Sequence, residues 1–283
     1  MIGRLSGYRF VAPALILLGV LTAYPLLYVV YLSFQRRLLI FHLSQFVGLG
    51  NYFFLLQDSR FWNALKNTVY FTGTSVFLEL VAGFLVALLL NRSVRFLGLL
   101  RAVVLIPWAV PTVISARLWE WIFNANFGVL NFLLGSQVNW LGDPFLAMQA
   151  AVFVDVWKTT PFVALILLAG LQAIPPEIYQ AARVDGAGDW VLFRRITFPL
   201  LLPMIWVVLI FRTLDAWRVF DVIYVLTGGG PANSTETISI YAYKVLFQTL
   251  QFGYGSTLSV MSFLFAGGIC VLYIRQINRG AKE

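Results

Sequence analysis

The stretch that decides the fold of this 283-residue chain runs from residue 171 to residue 199 and reads LQAIPPEIYQAARVDGAGDWVLFRRITFP. The proline pair Pro175-Pro176 ends the apolar segment before it, and proline also fits the first turn of a new helix. The sequence therefore predicts a short helix over residues 177–184 and a turn at Asp185-Gly186, where glycine tolerates a positive φ. A second short amphipathic helix, lying along a membrane surface, is predicted over residues 188–198.

Long apolar segments lie on both sides of this stretch. The chain is 60% hydrophobic and 11% charged, whereas soluble domains average about 45–50% apolar and about 25% charged residues. A membrane-spanning helix needs about 20 apolar residues, and such segments occur near residues 10–34, 67–90, 99–122, 146–173, 199–226 and 257–275. Because unpaired backbone groups are not tolerated in hydrocarbon, each segment is predicted to be helical. The fold class is therefore an all-α membrane protein with six transmembrane helices.

The distribution of basic residues predicts the orientation, because cytoplasmic loops carry an excess of Lys and Arg. With both termini in the cytoplasm, the inside segments hold Arg4, Arg9, Arg92, Arg95, Arg101, Arg183, Arg194, Arg195, Arg275, Arg279 and Lys282. The outside segments hold Arg36, Arg37, Arg60, Lys66 and Lys244. The excess favours cytoplasmic termini, although Arg36 and Arg37 oppose it.

Several kinds of chemistry are excluded by what the sequence lacks. Cys270 is the one cysteine and His42 the one histidine, so an internal disulfide and a histidine-rich metal site are excluded. The sequence contains no phosphate-binding G-x-x-x-x-G-K-[ST] loop and no G-x-S-x-G, H-E-x-x-H or C-x-x-C motif. No basic run is long enough for a nucleic-acid surface. We therefore predict no catalytic residue, no metal ligand and no nucleic-acid partner.

Charged residues inside the predicted spans have two interpretations. They are costly in a bilayer and usually face the protein interior or water. The fourth span carries Asp155 and Lys158, and the fifth carries Arg212, Asp215, Arg218 and Asp221. These residues either line a solute pathway or form structural pairs, and the sequence leaves both interpretations open. Glu79, Arg117 and Glu120 are interpreted mainly as interhelical pairs or interface anchors.

The helix-turn-helix formed by residues 177–184 and 188–198 is either a docking surface for another protein or an ordinary amphipathic loop. It resembles the coupling motif of binding-protein-dependent ABC importer permeases, E-A-A-x-x-x-G followed by I-x-L-P. The matching residues are Gln180-Ala181-Ala182, Gly186, Ile196, Phe198 and Pro199. Gln180 replaces the usual glutamate, and Phe198 replaces the leucine.

The wider string I-P-x-E-x-Y-x-A-A-x-x-D-G-A is similar to the maltose, trehalose and glycerol-3-phosphate branch of these permeases. Residues 46–52, 105–111 and 226–231 also resemble that branch. The resemblance implies an ABC type I importer permease fold, of the MetI-like kind. It implies an N-terminal helix and periplasmic loop over residues 1–64 and a five-helix core over 65–275 with a cytoplasmic coupling loop at 174–198. Residues 276–283 would form a cytoplasmic tail.

On this resemblance the chain is a permease subunit of an ATP-driven sugar importer and forms half of the pore with a second permease subunit. Two ABC ATPase subunits would bind ATP and Mg, so this chain would need no cofactor of its own. A periplasmic or lipid-anchored binding protein would deliver the sugar at a bacterial or archaeal plasma membrane. The residues implied to contact the ATPase are Gln180, Ala181, Ala182, Asp185, Gly186 and Ala187. At Gln180 an expected ion pair becomes a neutral hydrogen bond.

The same resemblance implies which residues line the solute pathway. These are Asp155, Trp157, Thr159, Phe162, Arg212, Asp215 and Ala216. Charged and hydroxyl groups bind sugar hydroxyls, and aromatic rings stack on sugar rings. A polar disaccharide, a trehalose-like sugar and a phosphorylated polyol, whose anionic group Arg212 would meet, all remain open as substrates.

Two other classes of protein remain as alternatives. An ion-coupled secondary transporter would use the buried Asp and Arg residues as a relay and would need an ion gradient but no ATPase. A membrane-embedded enzyme or assembly factor would be active as the purified chain alone. An importer permease, by contrast, is inert by itself.

Overall fold

The computed structural model describes residues 2–92 and 96–280 of the chain, and side chains from residue 10 to residue 277 within that range. Arg95 and Lys282, which contribute to the predicted orientation, lie outside the described residues, as does the end of the predicted tail. The described part is mostly helical. Its first elements are α1 (Ile2–Ser33), β1 (Gln35–Leu38), β2 (Leu43–Phe46), α2 (Gly50–Gln57), α3 (Ser59–Leu90), α4 (Leu97–Ala109), α5 (Thr112–Ile122) and α6 (Val129–Leu134). The later elements are α7 (Pro144–Gln172), α8 (Pro176–Val184), α9 (Asp189–Leu192), α10 (Phe198–Trp217), α11 (Asp221–Leu226), α12 (Ile238–Tyr243) and α13 (Phe252–Gly280).

Five helical segments are long and apolar enough to cross a membrane, and a bent pair of helices makes a sixth. The five are Phe10–Ser33, Ser59–Leu90, Pro144–Gln172, Asp189–Trp217 and Phe252–Ile277. The bent pair is α4 and α5, which meet at 92°. The predicted number of six spans is therefore confirmed when the bent pair counts as one.

The prediction of a continuous third helix over residues 99–122 is wrong, because the helix breaks before Pro111. A residue that precedes proline is pushed out of the helical region by the proline ring. Val110 accordingly has an extended backbone, with φ −73° and ψ 134°, and ends α4. Helix α5 then starts in a new direction at Thr112.

The predicted limits of the fifth span also need correction. The span was expected over residues 199–226, but α10 ends at Trp217, and Asp221 begins the separate helix α11. No separate surface helix covers residues 188–198, because α9 continues into α10 through a π-helical turn, Phe193–Thr197. Pro199 lacks the N–H that an α-helix would donate to the carbonyl four residues earlier, and a π turn accommodates such a gap.

The described chain forms two compact units. One comprises residues 1–62 and 241–265, and the other comprises residues 63–240 and 266–283. In the larger unit, α3, α7 and α10 bury apolar side chains against one another, among them Val163, Leu167 and Leu201. Small residues permit this close approach: a Cβ at Gly83 would lie 2.5 Å from Val163 Cγ1, and one at Gly170 would lie 2.8 Å from Leu201 Cδ2.

The smaller unit contains a β-hairpin directly after α1. Strands β1 and β2 pair antiparallel, with Gln35 opposite Phe46 and Leu38 opposite Leu43. The hairpin is joined to the later segment of the same unit by the backbone hydrogen bond from Leu39 N to Leu250 O, 3.3 Å. The described side chains of α1 are exposed along nearly all of their apolar length, as expected for a helix that faces lipid.

Asp58 fixes the turn between α2 and α3 in the smaller unit. Its Oδ2 accepts hydrogen bonds from the hydroxyls of Tyr241, at 2.6 Å, and Tyr254, at 2.5 Å. Burial raises the pKa of the Asp58 carboxyl. The two hydroxyls and the backbone N–H groups of Arg60 and Phe61 lower it by a larger amount, so the pKa lies below its ordinary value. Burial, together with the bond to Asp58, raises the pKa of Tyr241. Tyr241 itself is buried.

Candidate functional site

The predicted coupling segment is an exposed helix between two long apolar helices. Helix α8 begins with Pro176 in its first turn and buries no residue in the described structure. Glu177 lies in the first turn and Arg183 in the last, which complements the helix dipole. Of the six residues that the motif assigns to ATPase contact, Ala182 and Ala187 are half-buried, and the rest are exposed. The short helix predicted over residues 177–184 is therefore confirmed, and its surface is free to meet another protein.

The end of α8 explains why the motif contains a glycine. Gly186 has φ +83°, a left-handed conformation that side chains disfavour. The amide of Gly186 donates to Arg183 O at 3.0 Å, and the amide of Ala187 donates to Ala182 O at 2.9 Å. This pair of bonds is a Schellman cap, which satisfies the last carbonyls of a helix. The predicted turn is therefore confirmed at Asp185-Gly186.

Sequence reasoning missed the contact that joins α8 to the fifth span. The Tyr179 hydroxyl lies 3.0 Å from Thr197 Oγ1 in the π turn that leads into α10. Tyr179 is half-buried, and Thr197 is buried. The tyrosine belongs to the string that resembles the sugar permeases, but nothing local in the sequence identifies Thr197 as its partner. A direct side-chain contact therefore joins α8 to the turn that leads into α10.

The charged residues of the spans gather around one arginine. Arg212 on α10 is 3% exposed, and its Nε and Nη2 donate to both oxygens of Glu79 on α3, at 2.5 and 2.9 Å. Nη2 also donates to Asp155 Oδ2 on α7 at 3.1 Å, and Nη1 donates to Asp215 Oδ2 at 2.5 Å. We call Glu79, Asp155, Arg212 and Asp215 the arginine cluster. It joins three membrane helices, so the interpretation of Glu79 as an interhelical pair is confirmed.

Most of this cluster is inaccessible to a solute. Glu79 and Asp155 are buried with Arg212, whereas the side chain of Asp215 is 53% exposed and also accepts from Arg218 at 3.3 Å. Among the described residues, Asp215 is thus the accessible member of the cluster. Arg117 and Glu120 pair at 2.6 Å within α5 and not between helices, because they lie three residues apart on its surface.

Lys158 has a separate role at the break between α4 and α5. Its Nζ donates to Val110 O at 2.6 Å and lies 3.4 Å from Trp108 O. The last carbonyls of a helix have no partner within that helix. A buried ammonium group from α7 therefore satisfies the end of α4, where the third span changes direction.

The other residues predicted to line the pathway lie in different surroundings. Trp157 packs edge-on against Trp119, with ring centres 5.5 Å apart, and Phe162 packs against Trp108 at 6.1 Å. The Thr159 hydroxyl donates to the backbone of Asp155 at 2.6 Å, within its own helix. Ala216 is buried in the apolar core. The structure thus brings Asp155, Arg212 and Asp215 together and places the two aromatic residues in separate groups.

Two polar atoms on α5 were not identified from the sequence. Ser115 Oγ and Trp119 Nε1, one helical turn apart, are buried with no hydrogen-bond partner in the part of the chain that the structure describes. Both atoms are enclosed by protein, and an unpaired buried donor is costly. No local pattern marks these atoms, since serine and tryptophan are common in such helices. Among the described residues, no group of three or more acidic, histidine or cysteine side chains is arranged to hold a metal.

Known proteins resemble this chain over most of its length. The family model for a binding-protein-dependent transport system inner membrane component matches residues 79–279. The trehalose/maltose transport system permease protein MalF of Thermococcus litoralis is 45% identical, over 95% of this chain and 92% of its own. The trehalose transport system permease protein SugA of Mycobacterium tuberculosis is 40% identical, over 99% of this chain and 91% of its own.

Solved structures agree with these sequence relationships. A chain from a bacterial ABC transporter involved in the import of the acidic polysaccharide alginate has a TM-score of 0.84 and 26% identity, with 96% of this chain and 94% of that chain covered. A chain of the MetNI methionine ABC transporter shares the fold at a TM-score of 0.59 and 18% identity, with 81% and 98% covered. The fold implied by the coupling motif is therefore confirmed. The chain belongs to the family of binding-protein-dependent transport system inner membrane components.

Proposed function

We propose that this chain is a permease subunit of an ATP-driven, binding-protein-dependent sugar importer and forms half of its pore with a second permease subunit. The observation that carries the proposal is α8, an exposed helix with a Schellman cap and the spacing of the coupling motif. Two ABC ATPase subunits would each accept one such helix and would hold the ATP and Mg. This chain would contribute no catalytic group to ATP hydrolysis.

Coupling would run from α8 to the fifth span. ATP-driven closure of the ATPases would move α8, and the contact between Tyr179 and Thr197 would carry that movement to α10. Helix α10 holds Arg212, which is bound to carboxylates on α3 and α7. The arginine cluster would therefore keep these three helices together while they move. A structural neighbour supports a periplasmic or lipid-anchored partner, since an alginate ABC transporter is described in complex with an alginate pentasaccharide-bound periplasmic protein.

The substrate we propose is an uncharged sugar, such as a disaccharide. The relatives named for trehalose and maltose support this class. Three carboxylates already surround the guanidinium group of Arg212. We therefore do not expect Arg212 to bind the phosphate of a phosphorylated polyol. The groups we propose for the pathway are the exposed carboxylate of Asp215 and the rings of Trp157 and Phe162.

The proposed location is the plasma membrane of a bacterium or archaeon, with both termini in the cytoplasm. The excess of basic residues on the termini and on the α8 loop supports this orientation. An external thiol reagent should therefore fail to label a cysteine introduced at Gln180 in intact cells and should label it after permeabilisation. Labelling of that position in intact cells would contradict the whole coupling proposal.

The function is tested by assembling the chain with its partner subunits in sealed vesicles. We expect ATP hydrolysis that depends on both the binding protein and trehalose or maltose. Ala181→Trp should abolish this stimulation, because Ala181 is exposed and a bulky side chain would obstruct docking without disturbing the fold. Arg183→Gln, about 200° around the helix from Ala181, serves as the control. Uptake driven by an ion gradient without an ATPase would favour the secondary transporter instead.

A further inference from the structure

Arg36 and Arg37 have no role in the function proposed above, and they oppose the trend of basic residues toward the other side of the membrane. Both lie on β1, directly after α1 ends at Ser33. With residues of α2, the hairpin loop and the segment before α13, they line a half-open hollow of about 810 Å³. Its apolar walls include Ile40, Phe41 and Phe54. A hollow of this size is in the range of sites for small ligands.

The positive charge of this hollow is not neutralised by the protein. The described part of the chain offers no carboxylate within ion-pair distance of Arg36 or Arg37. Residues 1–62 and 241–265, which form this unit, contain one acidic residue, Asp58. That carboxylate is bound by the hydroxyls of Tyr241 and Tyr254. Arg36 and Arg37 therefore line the hollow without an anionic partner among the described residues.

The surroundings place the hollow at the level of membrane head groups. Tyr24, Tyr28 and Tyr31 occupy the last turns of α1, and tyrosine is enriched where membrane helices reach the interface. Arg37 Nη1 donates to the Tyr28 hydroxyl at 2.8 Å, so the arginine shares that depth. Ile40 and Phe41, beside the arginines, are 60% and 68% exposed. A charged site and an exposed apolar edge thus lie together at one depth.

We propose that this hollow binds an anionic phospholipid from the adjoining leaflet, with its phosphate on Arg36 and Arg37 and its upper acyl chains along Ile40, Phe41 and Phe54. Guanidinium groups pair with phosphate oxygens in bidentate geometry. Free phosphate is also an anion but cannot use the apolar walls, whereas a phospholipid satisfies both parts of the site. The bound lipid would hold the hairpin against the membrane.

The test uses the assembled transporter in nanodiscs of phosphatidylcholine mixed with phosphatidylglycerol, followed by native mass spectrometry of the lipids that stay bound. Each basic residue near an anionic surface contributes about fivefold to binding. Retention of phosphatidylglycerol should therefore fall about fivefold in Arg36→Gln and about thirtyfold in the double variant Arg36→Gln/Arg37→Gln. Lys66→Gln removes an exposed charge outside the hollow and should leave retention unchanged.

Three results would overturn the proposal. The first is equal retention of phosphatidylglycerol in the wild type and the double variant. The second is displacement of the lipid by millimolar inorganic phosphate, which would assign the site to a free anion. The third is protection of Arg36 from arginine-modifying reagents only when the binding protein is added, which would assign the surface to a protein partner. Arg36→Lys/Arg37→Lys keeps both charges, so its retention of lipid would show that the glutamine variants fail through charge and not through misfolding.

Discussion

The sharpest prediction concerns Gly186, the glycine that caps α8. Its φ is +83°, and a Cβ built on it would meet nothing within 4 Å. A substitution therefore acts through backbone conformation alone, and a side chain in the left-handed region costs about 1–2 kcal/mol. Since about 1.4 kcal/mol corresponds to a factor of ten, Gly186→Ala should reduce the capped population of α8 relative to open forms about 5- to 30-fold.

Gly188 supplies a matched control two residues away. A Cβ at Gly188 would also meet nothing within 4 Å, but its φ is −75°, which every residue adopts readily. Gly188→Ala should therefore leave the cap of α8 intact. Gly186→Asn should fall between the two, since asparagine tolerates the left-handed region better than alanine.

Hydrogen exchange measures the effect at the cap itself. The amide of Ala187 donates to Ala182 O in the capped state, so its exchange should accelerate about 5- to 30-fold in Gly186→Ala, in line with the conformational cost. Affinity for the ATPase subunit should fall by no more than the same factor. Equal exchange rates in the Gly186→Ala and Gly188→Ala variants would refute the reasoning, because the two sites differ in φ and not in the space around them.

Four further predictions concern contacts that the structure reveals. Arg212→Met should destabilise the chain by about 3–5 kcal/mol, because the substitution leaves buried carboxylates unpaired. The midpoint of thermal unfolding in detergent should fall, and an unchanged midpoint would contradict this prediction. Lys158→Met should lower the free energy of unfolding by about 1–3 kcal/mol, because the carbonyl at the end of α4 loses its hydrogen-bond donor. Protease cleavage at the junction of α4 and α5 should then be faster in Lys158→Met than in the control variant Lys66→Met. Tyr179→Phe should lower sugar uptake per ATP hydrolysed without unfolding the chain, and a normal transport ratio would exclude Tyr179 from coupling. The pKa of Asp58 in the folded chain lies below its ordinary value of 3.8. The Asp58 carboxylate therefore stabilises the fold fully above pH 3.8, and this stabilisation is lost as the pH falls through the lower pKa of the folded chain. Acid titration of stability should show this loss in the wild type and not in Asp58→Asn.

Much of the fold was predictable because the relevant signals are local. Apolar length identified the spans, and the proline pair at residues 175–176 located the start of α8 within one residue. The glycine at position 186 indicated the turn, because few other residues adopt its φ. The break before Pro111 also has a local signal, the proline itself, but the apolar pattern continues through it and by itself predicts an unbroken helix.

The arginine cluster was predictable only in part. Arg212 and Asp215 lie three residues apart on one helix, which sequence spacing reveals. The pairing of Arg212 with Glu79 joins residues 133 positions apart, and no spacing rule identifies such a partner. The four charges at 212, 215, 218 and 221 also proved not to share one helix, because the chain leaves α10 after Trp217. Their predicted contribution to the solute pathway remains a prediction.

The sequence by itself determined which segments enter the membrane and where α8 turns, because hydropathy and backbone preference act over a few neighbouring residues. Tertiary structure alone decided which carboxylates of other helices bind Arg212, which carbonyls Lys158 binds and which hydroxyl meets Tyr179. Those contacts depend on how helices distant in sequence pack side by side. Packing is set by the combined shapes of many side chains, so no single stretch of residues contains the answer.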